Sequence, residues 1–165
     1  MSGLKKITVT VKNYKSSEGG DLDQLYKRVR LVDQEGKTVY YSDVVVPKYL
    51  DRKGALKTDV SRTWFVKHLT KKSIVIIACE VQAGRVEYDL DDLRTIARST
   101  VLKGIVLSLA SIPMAIIVAT ATFGLGLLLI PVGIWYGYRN IFKVPSMLSR
   151  KTLVEDLSRH GITSS

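Results

Sequence analysis

The feature that most constrains this chain is a run of 35 residues, 104–138, without a single charged side chain. Uncharged apolar runs above about 18 residues read as membrane-spanning. A soluble protein of this size has room to bury one such helix, but not 35 residues beside a small β domain. As one straight helix the run would extend roughly 52 Å at about 1.5 Å per residue, against a hydrocarbon core of about 30 Å. It is therefore expected to fold back. Residues 119–124, Ala-Thr-Ala-Thr-Phe-Gly, are its most polar stretch and supply the turn. The expectation is a two-helix transmembrane hairpin over about 101–119 and 124–138, with a shallow re-entrant hairpin or a single kinked span as the alternatives.

Each arm is short for a bilayer, so flanking side chains must snorkel. Lys103 and Arg139 stand at the two ends, and Trp135, Tyr136 and Tyr138 form an aromatic cluster suited to the interface. Arg94, Arg98 and Lys103 precede the run, and Arg139, Lys143, Arg150 and Lys151 follow it. Basic flanks stay cytoplasmic, so an even number of crossings with both termini cytoplasmic is expected. Gly104, Ser108, Ser111, Ala115 and Ala119 share one face of the first arm. Gly126, Gly133 and Gly137 do so in the second. Small faces let helices approach closely in lipid, either within the hairpin or between copies in a homo-oligomer. Pro113 and Pro131 are expected to bend the arms. With no ionisable group inside the run, a transporter or single-copy channel is disfavoured.

Residues 1–100 carry 19 basic and 13 acidic side chains and read as β. Ile7-Thr8-Val9-Thr10-Val11-Lys12 alternates apolar with polar, and a second strand follows around Val29 and Leu31. Asp33-Gln34-Glu35-Gly36 turns into a third strand, from Lys37 to Val46, that Pro47 ends. Residues 48–59 read as a basic loop, and residues 16–20 as a mobile one. Two further strands are joined by Thr70-Lys71-Lys72, and a sixth follows Ala83-Gly84. The apolar stretch Ile74-Val75-Ile76-Ile77-Ala78 is expected to be central and covered on both faces. The fold class is thus an α+β membrane protein. A small antiparallel β sandwich or barrel (1–90) precedes a connecting helix and hairpin (91–138), with a basic tail (139–165) after them. Asp91 and Asp92 suit the N-terminus of the connecting helix. In the tail, Thr152-Leu-Val-Glu155 matches a capping box and Gly161 a stop, predicting a short amphipathic helix for the membrane surface, with a solvated basic tail as the alternative.

The chemistry is defined by omission. The sequence has no G-x-S-x-G, no G-x-x-x-x-G-K, no H-E-x-x-H and no dinucleotide fingerprint. The lone Cys79 excludes a disulfide, and His68 and His160 are too few for a metal centre, so neither catalytic residue, cofactor nor metal is expected. The net charge of +10 tracks the membrane flanks, which argues against nucleic acid as partner. Lys48, Arg52, Lys53 and Lys57 are the candidate contacts for anionic lipid or an anionic small ligand. The expected function is a non-enzymatic, membrane-anchored module whose β domain binds a protein or ligand. The alternative is a membrane-perturbing effector or toxin that oligomerises through its hairpin when the β domain senses a signal. In layout alone, it resembles bacterial defence effectors that join a small sensing domain to membrane helices.

Overall fold

Every second side chain of Ile7-Thr8-Val9-Thr10-Val11 turns to one face. In the computed structural model, which describes residues 3–82, 84–121 and 129–162, that face lines the inside of a barrel. Its strands are β1 (Lys5–Asn13), β2 (Ser16–Gly19), β3 (Asp23–Asp33), β4 (Thr38–Pro47), β5 (Ser61–His68), β6 (Ser73–Gln82) and β7 (Arg85–Tyr88). Five close into a ring in the order β1-β5-β6-β4-β3, with β3 returning to β1. β2 and β7 are added on β3 and β6. An all-antiparallel sheet was expected, but β4 and β6 run parallel where Asp43–Val45 meet Ser73–Val75. The chain between them passes through α1 (Lys48–Arg52) and β5, a crossover that a parallel pair requires. The domain is a closed barrel rather than a sandwich.

Val9, Val11, Val29, Leu31, Val44, Trp64 and Ile74 fill the interior. α1 lies where a basic loop was expected. Leu50, Ala55 and Leu56, from α1 and the turn after it, are buried in the same core. The Trp64 indole N–H donates to the Ala55 carbonyl at 3.1 Å, so this segment plugs one end of the barrel. β6 is buried on both faces from Ile74 to Cys79, as its unbroken apolar sequence implies. Residues 16–19 are not a free loop: they pair with β3, and Glu18 bridges to Lys27. Arg28, at φ 54°, adds one residue to the inward alternation, so that Tyr26, Val29 and Leu31 are all buried.

The chain divides into two compact units, residues 1–96 with 150–165, and residues 97–149. α5 (Arg150–Arg159) therefore belongs with the barrel. Its apolar face is spent there and not on lipid: Leu153 and Leu157 are buried, and Asp156 Oδ2 lies 2.7 Å from Lys67 Nζ. His160 Nε2 donates to the Leu4 carbonyl at 3.2 Å, and its ring meets Phe65. The helix starts two residues before Thr152, so the capping-box pattern falls inside it. Its end is the expected one, with Gly161 at φ 75° and the Ile162 amide donating to Leu157 O at 3.0 Å.

α2 (Leu90–Ala121) joins the expected connecting helix and the first arm in one continuous helix. Asp89 caps it, accepting the Asp91 and Asp92 amides on Oδ1 at 2.9 and 3.0 Å. Asp91 and Asp92 occupy the first turn, where carboxylates complement the helix dipole. Among the described residues, α2 is the one helix long and apolar enough to cross a membrane. α3 (Leu129–Tyr138), at 10 residues, reaches only about 15 Å. A hairpin of two full spans is therefore not what the described residues display. Most of the predicted turn, from residue 122, and the start of the second arm lie outside them. A π-helical turn (Arg139–Lys143) and α4 (Val144–Met147) complete the second unit.

Candidate functional site

The barrel is plugged at one end and open at the other. β1 pairs with β3 only from Val9 to Asn13, whereas its Lys5–Thr10 portion pairs with β5. β4 pairs with β6 only over Asp43–Val45, leaving its first residues on β3 alone. The β3–β4 hairpin therefore stands away from β1 beyond Val9. The gap is a cavity of about 310 Å³, at the lower end of small-ligand sites.

Register shows which side chains face it. Opposed residues of an antiparallel pair share a face. Val9↔Asp33, Leu31↔Val39 and Val29↔Tyr41 are such pairs, and Val9, Val29 and Leu31 are core residues. Asp33, Val39 and Tyr41 therefore continue the inward face toward the opening. Ile7, Val9, Leu31 and Val39 make an apolar floor and wall, and Tyr41 adds its ring. Burial holds the Tyr41 hydroxyl above the ordinary phenol range, so it is a neutral donor. Its ring lies 6.1 Å from that of His68 of β5.

The rim is the turn after β3. Gly36 adopts φ 79°, which glycine tolerates without strain, and its amide donates to Asp33 O at 3.1 Å. Asp33 Oδ1 accepts the amides of Glu35 at 3.0 Å and Lys37 at 2.8 Å. These two bonds hold the carboxylate rigid while leaving Oδ2 uncommitted among the described residues. Glu35 is exposed beside it, and Gln34 and Thr8 complete the polar lining.

The four cations predicted to contact an anionic ligand are divided. Lys48 and Arg52 line a depression of about 210 Å³ that also holds Asp21 and Asp92. Lys53 lines a second, of about 170 Å³, with Arg85 and Glu87. Tyr49 stands between: its hydroxyl donates to Glu87, and Lys53 lies 5.6 Å from its ring centre. The Tyr49 hydrogen bond, more than the nearby cations, holds the Glu87 carboxyl below its usual range. Lys57 is exposed and lines neither depression. Cations meet carboxylates at both places. Asp59 pairs with Lys12 at 2.9 Å and Asp89 caps α2. Cys79 is fully buried, and burial pushes its thiol up to about 11.

In the second unit, Ala115 and Gly137 are buried, and Ser111, Ala119 and Gly133 are half-buried. Gly133 faces Ser111 so closely that a Cβ on it would lie 2.4 Å from the serine Cβ. The side chains of Lys103 and Ser108, the surroundings of Gly104, and all of Gly126 lie outside the described residues. Trp135, Tyr136 and Tyr138 are exposed and Arg139 is half-buried. Leu102, Val106, Leu109, Met114 and Ile117 are all more than half exposed. Sequence alone does not mark the mouth residues as a site, because each has an ordinary role as strand or turn former. No family model, curated protein or solved structure matches the chain.

Proposed function

We propose that this is an integral membrane protein whose barrel is held at a bilayer as a ligand- or protein-binding module, without catalysis of its own. One observation carries the reading: the apolar window of α2 has a mean hydropathy of 2.2, and only 7% of it is buried by the rest of the chain. A core helix of a soluble protein has the same composition but is covered. Exposed apolar patches beyond a few hundred Å² mark a lipid or partner interface. The same window contains no ionisable side chain beyond Lys103, as hydrocarbon requires.

One contact supports a return of the chain along α2. Ser111 and Gly133 touch and stand equally far from residue 122. An antiparallel path then brings Arg139 level with Ile105, close to Lys103. Both basic flanks would share one side, with both termini cytoplasmic by the positive-inside rule. The exposed Trp135, Tyr136 and Tyr138 fit the interface there. The anchor reading ranks above the membrane-perturbing one because a small-residue face that would join copies is engaged within the chain at Gly133 and Ser111.

The test is extraction of the full chain from cell membranes with alkaline carbonate. The chain should stay in the pellet, and Leu109→Arg with Met114→Arg should release it, since each charge near a span centre costs about 2.5–3.5 kcal/mol. Wild-type protein appearing in the carbonate supernatant would overturn the anchor.

A further inference from the structure

We infer that the open mouth of the barrel binds a small amphiphilic monocation: one ammonium or guanidinium group on an apolar body. The inference rests on the binding-module reading and names its ligand class. The cavity of about 310 Å³ suits one small molecule and has an apolar interior made by Ile7, Leu31, Val39 and the Tyr41 ring. Such a surface takes an aliphatic or aromatic body with little rearrangement, because strand pairing already holds these residues in place. The charge preference comes from the rim. Asp33 faces the opening from the inward register of β3, opposite Val9. Two backbone amides pin its Oδ1, and Oδ2 carries no hydrogen bond among the described residues. Glu35 adds a second carboxylate with no ion-pair partner among the described residues. An otherwise basic domain thus places two carboxylates, neither in an ion pair among the described residues, at the lip of this cavity.

Neutral and anionic molecules of the same shape define the alternatives. A neutral one keeps the apolar contact and loses the carboxylates, and an anionic one meets them as like charge. A divalent cation would leave the apolar floor unused, and a peptide would extend well beyond the cavity. Exposed carboxylate contacts each contribute modestly, so the preference for cation over neutral isostere should be about tenfold and fall with added salt.

The experiment uses the full chain in lipid nanodiscs with methyl-labelled valine and leucine. It is titrated with phenethylamine, 2-phenylethanol and 3-phenylpropionate. Phenethylamine should shift the Val9, Leu31 and Val39 methyls saturably, with Val44 and Val46 as controls toward the plugged end. Phenylethanol should need about tenfold more, and phenylpropionate should leave the three methyls unmoved. Asp33→Asn with Glu35→Gln should abolish the difference between amine and alcohol. The Asn Oδ1 still accepts both turn amides, and Glu35→Gln alone should give part of the loss. Equal binding of amine and propionate would overturn the charge assignment, and silence of the three methyls toward all probes would overturn the site. Either failure is separate from failure of the anchor, which the carbonate extraction reads with no ligand present.

Discussion

Replacing Asp156 should cost far more than replacing Asp156 and Lys67 together. The Lys67 side chain is 1% exposed and its Nζ lies 2.7 Å from an Asp156 oxygen that is itself in a side chain 14% exposed. At that distance the attraction is about 6 kcal/mol for an effective dielectric constant near 20, most of it offset by removing both charges from water. Asp156→Ala deletes the attraction and leaves the cost of the buried ammonium in place. A loss of about 3 kcal/mol follows, at the lower end for a broken buried pair because Asp156 retains some water. Lys67→Met with Asp156→Leu removes both desolvation costs and puts apolar side chains in their place, so it should lie within about 1 kcal/mol of wild type. Urea unfolding of the full chain in detergent, followed by Trp64 fluorescence in a Trp135→Phe background, measures the barrel. Hydrogen exchange at the Leu153 and Leu157 amides reports whether α5 opens first. A single substitution costing under about 1 kcal/mol, or a double one costing as much as the single, would refute the reasoning that α5 is held by a charge pair the fold has already desolvated.

Other consequences are smaller in scope. Gly133→Leu should drive α3 from α2, since even a Cβ would stand 2.4 Å from that of Ser111. Amide hydrogen exchange along α3 should then be faster than in the wild-type chain. Asp89→Ala removes the cap of α2 and should cost about 1 kcal/mol, with faster exchange at the Asp91 and Asp92 amides as the direct readout. Cys79 should resist alkylation in the folded protein at pH 8. Its thiol is raised from the ordinary 9.0 to about 11, so the native state holds the proton more tightly than the unfolded chain. That contribution to stability is complete below about pH 9 and declines as pH rises toward 11, to be checked by urea midpoints across that range against Cys79→Ala.

Local pattern carried the strands that have a buried side, and pairing decided the rest. Val9, Val11 and Ile74–Cys79 announce themselves because alternation or an apolar run is the direct imprint of one or two covered faces. Ser16–Gly19 has no such imprint. All four residues are exposed, and the strand exists because β3 offers it a free edge. The parallel meeting of β4 and β6 is likewise invisible in either segment alone, since it depends on β5 and α1 going around the ring. α5 shows the limit most plainly. Leu153 and Leu157 reveal an apolar face, but periodicity is the same whether lipid or protein covers it. A buried Lys67 on β5 was the missing half, and a lysine in a strand ordinarily reads as exposed.

Asp33 shows why the site was harder to read than the fold. Its place before Gln34-Glu35-Gly36 made it a turn former, and the structure agrees: its Oδ1 takes two amides of the turn. That role uses one oxygen. The other is set by a different constraint, because Asp33 is opposite Val9 and so inherits the inward face of β3. On a longer ladder the next β1 residues would close over it. Here β1 stops pairing with β3 at Val9, so the inward face ends in an opening and the carboxylate stands at its edge. A turn residue becomes a site residue through where a distant strand stops pairing, which is a property of register and not of the residues around it. Extending the ladder should therefore erase the site: a substitution that draws Ile7 against β3 would shrink the cavity while leaving the Asp33 turn bonds intact.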